Sequence, residues 1–369
     1  MPRQVFSRRR FLQQAAGSVA ATTAGLSLTS CGWRLANVRP VSRQGDPTKL
    51  YIFSRAGYTD ERLLSLFEKK TGIKAIFDVY DGNEAMLAKY RSGGGAQYSV
   101  IYPSDYMVRQ MRELNLLQTL DHGRLRGVDH LFPNYPNPLY DRQNEHSIPV
   151  AWGTTGLVYN TKKLDMVPED WEFLWAHQDK VRRRLTLVND PRETIGASLK
   201  RLGFSYNTKK TEEVERAYQE LRQLRSAVTS FTTDGWRDRI VAGDLTVAMG
   251  YSSDAADVEQ ENADLRYAIP KSGSSLWTDT MVIPVTAPNV DGAYAWFNFM
   301  LDPEVAAFVT KNLAFATPNR AAYETLPTDI RENPSLFPSE QVLVKCESLA
   351  PLGEFTMVFD RYWTELLSG

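Results

Sequence analysis

The chain has 369 residues, 43% of them apolar, and a formal net charge of −1 from 43 basic and 44 acidic side chains. That length predicts two lobes rather than one small domain, and the apolar content is that of a soluble folded protein. The near-neutral charge argues against nucleic acid as a partner, and two cysteines with four scattered histidines (His122, His130, His146, His177) offer neither a disulfide scaffold nor metal-ligand spacing.

Residues 1–30 read as a targeting segment. Ser7-Arg8-Arg9-Arg10-Phe11-Leu12-Gln13 is a twin-arginine export pattern, followed by a weakly apolar run closing at Leu28-Thr29-Ser30-Cys31-Gly32. The latter resembles a lipobox, which makes Cys31 the expected N-terminal, lipid-carrying residue of the mature chain. Four arginines and no acid precede it, and Ser, Thr and Gly break the run well short of a solid apolar span of about 20 residues. Cleavage leaves 339 residues and takes the formal charge to −5. With Cys31 committed to lipid, Cys346 is expected to be a solitary structural thiol. Residues 31–47, without period, read as a flexible tether.

Order is expected from about Lys49. Residues 50–53 form a strand, and Thr59 is expected to cap a helix with Asp60 and Glu61 in its first turn, ended by Gly72. Residues 74–80 alternate as a strand; Asn83 is expected to cap a helix over 84–90; residues 98–102 form a third strand, leading into a helix over 105–114. Further along come a strand at 185–188, helices at 193–202 and 211–226, a strand at 245–249 with a helix from about Ala255, a strand at 280–285, and helices at 291–300 and 303–312. Strands alternating with helices predict right-handed crossovers and a parallel sheet. The apolar, glycine-containing stretch 149–159 is a candidate interlobe crossing, with others near Asp279 and Asn319.

In open parallel sheets ligands bind beyond the carboxyl ends of the strands. That rule selects 54–58, 104–106, 190–193 and 251–254, which combine acids, hydroxyls and aromatics. Such a groove suits an organic cation: each charge-assisted bond contributes roughly 1.5–3 kcal/mol, and aromatic faces add about 0.5–2 kcal/mol. Capping competes with this reading, singly, at Ser104, Asp190 and Asp254. Asp190-Pro191-Arg192-Glu193 is a strong helix start in its own right. Asp279, in Trp277-Thr278-Asp279-Thr280, is expected to precede a strand, where capping does not account for an acid. No nucleophile elbow, phosphate loop, zinc-protease motif or dinucleotide turn is present, so neither an enzyme nor a cofactor is expected.

Several groups in order carry a resemblance: Thr71-Gly72-Ile73-Lys74, Asn83-Glu84-x-Met86-x-Ala88-Lys89, Pro103-Ser104-Asp105-Tyr106, Trp152-Gly153-Thr154-Thr155-Gly156, Asp190-x-Arg192-Glu193, Trp277-x-Asp279 and Ala316-Thr317-Pro318-Asn319. From about Lys49 onward the chain resembles the spermidine/putrescine-binding proteins of bacterial ABC importers. The resemblance implies an α/β, type II periplasmic-binding fold whose two lobes close on a ligand by a hinge. Residues 48–154 with 278–323 would make lobe 1, and 155–277 with 324–369 lobe 2. It also implies a periplasmic protein tethered to the membrane by lipid, monomeric, binding a polyamine and serving a membrane ABC permease.

Carried over by motif, Ser104, Asp105, Tyr106 and Tyr58 fall on the first-lobe side of the site. Asp190 and Glu193 match amine-holding acids. Tyr251 stands where relatives place a Trp, Asp254 matches an acid of putrescine-type members, and Trp277 and Asp279 match a stacking aromatic and a terminal-amine carboxylate. The chain departs from the pattern at Arg55 (usually Trp), at Ala56-Gly57, at Phe315 (usually Tyr) and, loosely, at Leu349. Arg55, a permanent cation beside a polycation's site, leaves two expectations open. Either it pairs with Asp105 or Asp254 and reshapes one end of the groove, leaving Asp190, Glu193 and Asp279 for a shorter polyamine, or it holds a carboxylate, making the ligand zwitterionic, such as an ω-amino acid. A ligand sensor on the same fold is a further alternative.

Overall fold

A computed structural model describes residues 45–135 and 138–368. The export motif, Cys31 and most of the expected tether lie outside the described residues. Order begins earlier than Lys49: the Gly45 amide donates to the Pro288 carbonyl (2.9 Å), and in the local turn that follows the Asp46 carboxylate accepts from the Thr48 amide and hydroxyl.

Among the described residues nine strands build one sheet: β1 (Lys49–Ser54), β2 (Lys74–Val79), β3 (Val100–Ile101), β4 (Ser147–Asn160), β5 (Leu185–Leu187), β6 (Val228–Phe231), β7 (Val247–Tyr251), β8 (Leu265–Ala268) and β9 (Leu276–Val282). Their order is β2-β1-β3-β9-β4-β7-β5-β6, with β8 on β4. The expected parallel pairing holds for β1 with β2 and β3, and for β5 with β6 and β7. It fails at the centre, where β9 runs antiparallel to β3 and β4, and β4 antiparallel to β7 and β8. β4 is buried along nearly its whole length, so it reads in sequence as an apolar stretch without alternation rather than as a strand. It belongs to both halves of the sheet.

Local chemistry sets the helix starts, and two caps differ from expectation. Asp60, not Thr59, caps Glu61–Thr71: its carboxylate accepts from the Leu63 amide, because it sits one residue closer to the first helical turn. Gly72 ends that helix at φ 73°. Asn83 lies inside Asn83–Lys89, whose N-cap is Gly82. The Asn83 amide instead donates to the Ser104 hydroxyl (2.7 Å) and its carbonyl accepts from the Ser104 amide, tying that helix to the turn after β3.

Leu63 and Phe67 of Glu61–Thr71 are fully buried, each contributing roughly 1.5–3 kcal/mol. Phe67 packs edge-on against Trp296 and Phe299 of Val290–Leu301, and the Trp296 indole donates to the Tyr102 hydroxyl. On the other half, Pro191–Arg201 packs on Thr211–Leu224, burying Ile195, Leu199, Val214 and Leu221 in one core with Leu185 and Leu187 of β5, and the C-terminal helix Thr356–Ser368 packs on both helices. Among the described residues, no helix is long and apolar enough to cross a membrane.

Candidate functional site

The carboxyl ends of β1, β3, β5 and β7 carry the chain directly into Arg55, Ser104–Tyr106, Asp190–Glu193 and Ser252–Asp254, as the strand-end rule requires. Trp277 and Asp279 do not precede a strand. They lie inside β9, two residues apart and so on one face of it, opposite Gly153 and Ala151 of β4. The central antiparallel pair therefore supplies part of the site itself.

One cavity is lined by Arg55, Tyr58, Tyr251, Asp254, Trp277, Asp279 and Phe315, all singled out from sequence, and by Tyr80, Asp81, Asp234 and Arg237, which were not. Phe315 stacks on Tyr58, centroids 4.2 Å apart and 19° from parallel, and the Tyr58 hydroxyl donates to the Asp279 carboxylate. Burial pushes Asp279 above the ordinary carboxylate range, opposed by Arg55 and by bonds from Tyr58 and Ser104. Trp277 meets Tyr251 edge-on at 5.9 Å, and its indole N–H is buried without a partner.

Neither expected partner holds Arg55. Asp254 is taken by Arg237, 2.7 Å away, which also reaches Asp234 at 3.0 Å. Asp105 is nearly fully buried beyond this cavity, one oxygen accepting from the Tyr106 amide. The Arg55 guanidinium instead lies over the Tyr251 ring, 4.7 Å from its centroid. Burial opposes the charge on Arg55, but Tyr251, Asp279 and Tyr80 outweigh it, holding its pKa above the ordinary value. Burial lifts Asp254 to about 6 despite Arg237 and Arg55.

Ser104, Asp105, Tyr106, Asp190 and Glu193 form a second group beyond that lining. Ser104 holds the N-cap position of Asp105–Glu113, but its hydroxyl meets Asn83 rather than the helix. Asp190 is a true cap, accepting from the Arg192 and Glu193 amides at 2.8 and 3.1 Å. The Ser275 hydroxyl lies 2.7 and 2.9 Å from the two Glu193 oxygens, with Thr155 behind it. Burial, then the charge of Asp190, raise Glu193 to about 7; Ser275, Thr155 and Arg55 pull the other way. Burial likewise raises Asp105, with Asp279 and Glu193 adding to it. Tyr106 donates to Glu84 (2.9 Å), whose pKa rises through loss of surrounding water and through Asp190 and Asp360.

Glu84, Asp360, Ser275 and Arg237 were not assigned from sequence. Glu84 lies in Asn83-Glu84-x-Met86-x-Ala88-Lys89, at the start of the helix expected over 84–90. Arg237 gave no local signal: its partner Asp254 is on another helix, and only folding brings them together. Arg192, beside two site acids, faces away, donating to the Ala350 carbonyl and to Asn207.

These geometries gather carboxylates and aromatic faces where two half-sheets meet. Residues 63–338 match the family model for bacterial extracellular solute-binding proteins. The chain belongs to that family. It is 32% identical over 325 residues to a spermidine/putrescine-binding periplasmic protein of Salmonella typhimurium, covering 88% of this chain and 93% of that one. A putrescine-binding periplasmic protein of Pseudomonas aeruginosa is 30% identical over 93% of this chain and 97% of its own. A solved structure from Listeria monocytogenes, described as a candidate spermidine/putrescine ABC transporter, superposes with a TM-score of 0.82 at 36% identity, covering 87% of this chain and 99% of that one. Members of this family are solute-binding proteins of transporters, not enzymes, and the periplasmic-binding fold is that of the solved relative.

Proposed function

We propose that this protein captures a polyamine between its two half-sheets and delivers it to a membrane ABC permease. The observation that carries the reading is the line of acids, Asp279, Asp105, Glu193 and Asp190, beside Tyr251 and Trp277. Carboxylates accept from ammonium groups and aromatic faces cover methylenes. Residues 48–154 with 278–323 and 155–277 with 324–369 are the proposed lobes, with Ser104, Asp105, Tyr106, Tyr58 and Phe315 contributing from the first side and Asp190, Glu193, Tyr251 and Asp254 from the second. The zwitterion alternative is not favoured: the relatives' names are those of polyamine binders, and Arg55 already engages Tyr251.

Export by the twin-arginine route and lipid on Cys31 complete the proposal, a monomer held near its permease by the segment before Asp46. The lipid is tested by labelling cells with a fatty acid, which the C31S chain should fail to incorporate. Calorimetry with putrescine, spermidine, spermine and 4-aminobutyrate tests the ligand. At least one polyamine should bind below millimolar concentration; binding of 4-aminobutyrate alone would overturn the polyamine reading.

A further inference from the structure

We infer that Arg55 is a built-in cation that occupies the Tyr251–Asp279 corner of the cleft in place of one ligand ammonium, so that the protein selects a dicationic diamine over longer, more highly charged polyamines. The inference rests on the polyamine reading and names the ligand within it.

Three observations converge. The Arg55 guanidinium lies on the face of Tyr251 at 4.7 Å and lines the same cavity as Trp277 and Asp279. Among the described residues no carboxylate comes close enough to Arg55 for an ion pair, while Asp279, Asp254 and Glu193 all feel its charge. It is therefore not spent on a structural salt bridge; it sits among an aromatic face and surrounding acids as a ligand's ammonium would. Second, Arg237 pairs with both Asp254 at 2.7 Å and Asp234 at 3.0 Å, taking up two of the four acids that line this cavity. Third, the residues after Arg55 are Ala56 and Gly57, with Gly57 at φ 88°, so no longer side chain of that turn competes for the corner. Among the described residues Glu193 and Glu84, which lie outside that lining, make no ion pair: Glu193 meets Ser275 and Glu84 meets Tyr106. A third ammonium extending toward Arg55 meets a fixed positive charge that cannot deprotonate.

Calorimetry on the folded full chain reads this directly, comparing putrescine with spermidine for the natural protein and for Arg55→Gln, Arg55→Ala and Arg55→Lys, each checked by circular dichroism. The affinity of spermidine relative to putrescine should rise threefold or more in Arg55→Gln and Arg55→Ala, and stay within threefold of the natural protein in Arg55→Lys. A smaller rise, or a shift toward putrescine, in the two neutral variants overturns the inference while leaving the polyamine reading intact. So does an Arg55→Lys chain that behaves like Arg55→Ala, since bulk and not charge would then be at work. Failure of every chain to bind any polyamine removes the polyamine reading itself, and this inference with it.

Discussion

Asp190 does two things with one carboxylate. It holds the first turn of Pro191–Arg201 through two amides, and it places negative charge beside Glu193. The two roles separate by substitution. Asp190→Ser keeps a capping oxygen and should leave stability within about 0.5 kcal/mol, whereas Asp190→Ala should cost about 1 kcal/mol in urea unfolding. Both remove the charge, so both should weaken polyamine binding, roughly tenfold or more. If Asp190→Ser binds as tightly as the natural chain, Asp190 is a cap and nothing else. Sequence spacing exposed the cap at this position, because a cap is a local event, written within three residues, and left the amine-holding role to be implied by the resemblance alone. It could not expose Arg237, whose meaning depends on Asp254 seventeen positions away, nor decide where Arg55 points. The pairing of Arg55 with Asp105 or Asp254 failed because Arg237 reaches Asp254 first and Asp105 is buried behind its own helix turn.

Among the elements, the central antiparallel pair matters most. Local βα alternation made the flanking parallel pairs legible, whereas β4 hid behind its burial and β9 was read four residues late, because a strand buried on both faces has no period-two signature. Trp277 and Asp279 consequently looked like loop residues although they are held in the ladder. Gly153 shows how tight that ladder is: a Cβ there would stand 2.3 Å from the Ser252 hydroxyl oxygen and 2.4 Å from the Trp277 ring. Its partner in register is Trp277 itself. Gly153→Ala should therefore displace the indole and the start of Ser252–Glu261 together, destabilising by about 1–3 kcal/mol and weakening ligand binding in the same protein. A fall in thermal stability with ligand affinity unchanged would show that the Trp277 ring position is not tied to the site.

On the scale of the molecule, the buried acids tie proton binding to ligand binding. Glu193 stands at about 7 when folded against an ordinary 4.5, so between those values the ligand-free folded protein carries a proton that the unfolded chain lacks. Stability from this group is fully present at pH below about 4.5 and is lost as pH rises through 7. Ligand binding runs the other way. An ammonium favours ionised Glu193, so below pH 7 it must displace the proton, at a cost of about 1.4 kcal/mol for each unit. At pH 5.5 the polyamine affinity should thus be reduced by up to about thirtyfold relative to pH 8. Asp279 and Asp105, also raised by burial, act in the same direction. Thermal melts at the two pH values, with and without ligand, separate the effects: the increase in melting temperature caused by a fixed ligand concentration should be larger at pH 8 than at pH 5.5. Glu193→Gln cannot ionise, so its ligand-induced increase should be smaller at pH 8, and should differ less between the two pH values than that of the natural protein, the remaining difference coming from Asp279 and Asp105. A natural protein whose ligand-induced increase is equal at pH 5.5 and pH 8 would mean that Glu193 stays ionised without ligand, and that the Ser275 and Thr155 hydroxyls compensate its burial more fully than their geometry suggests.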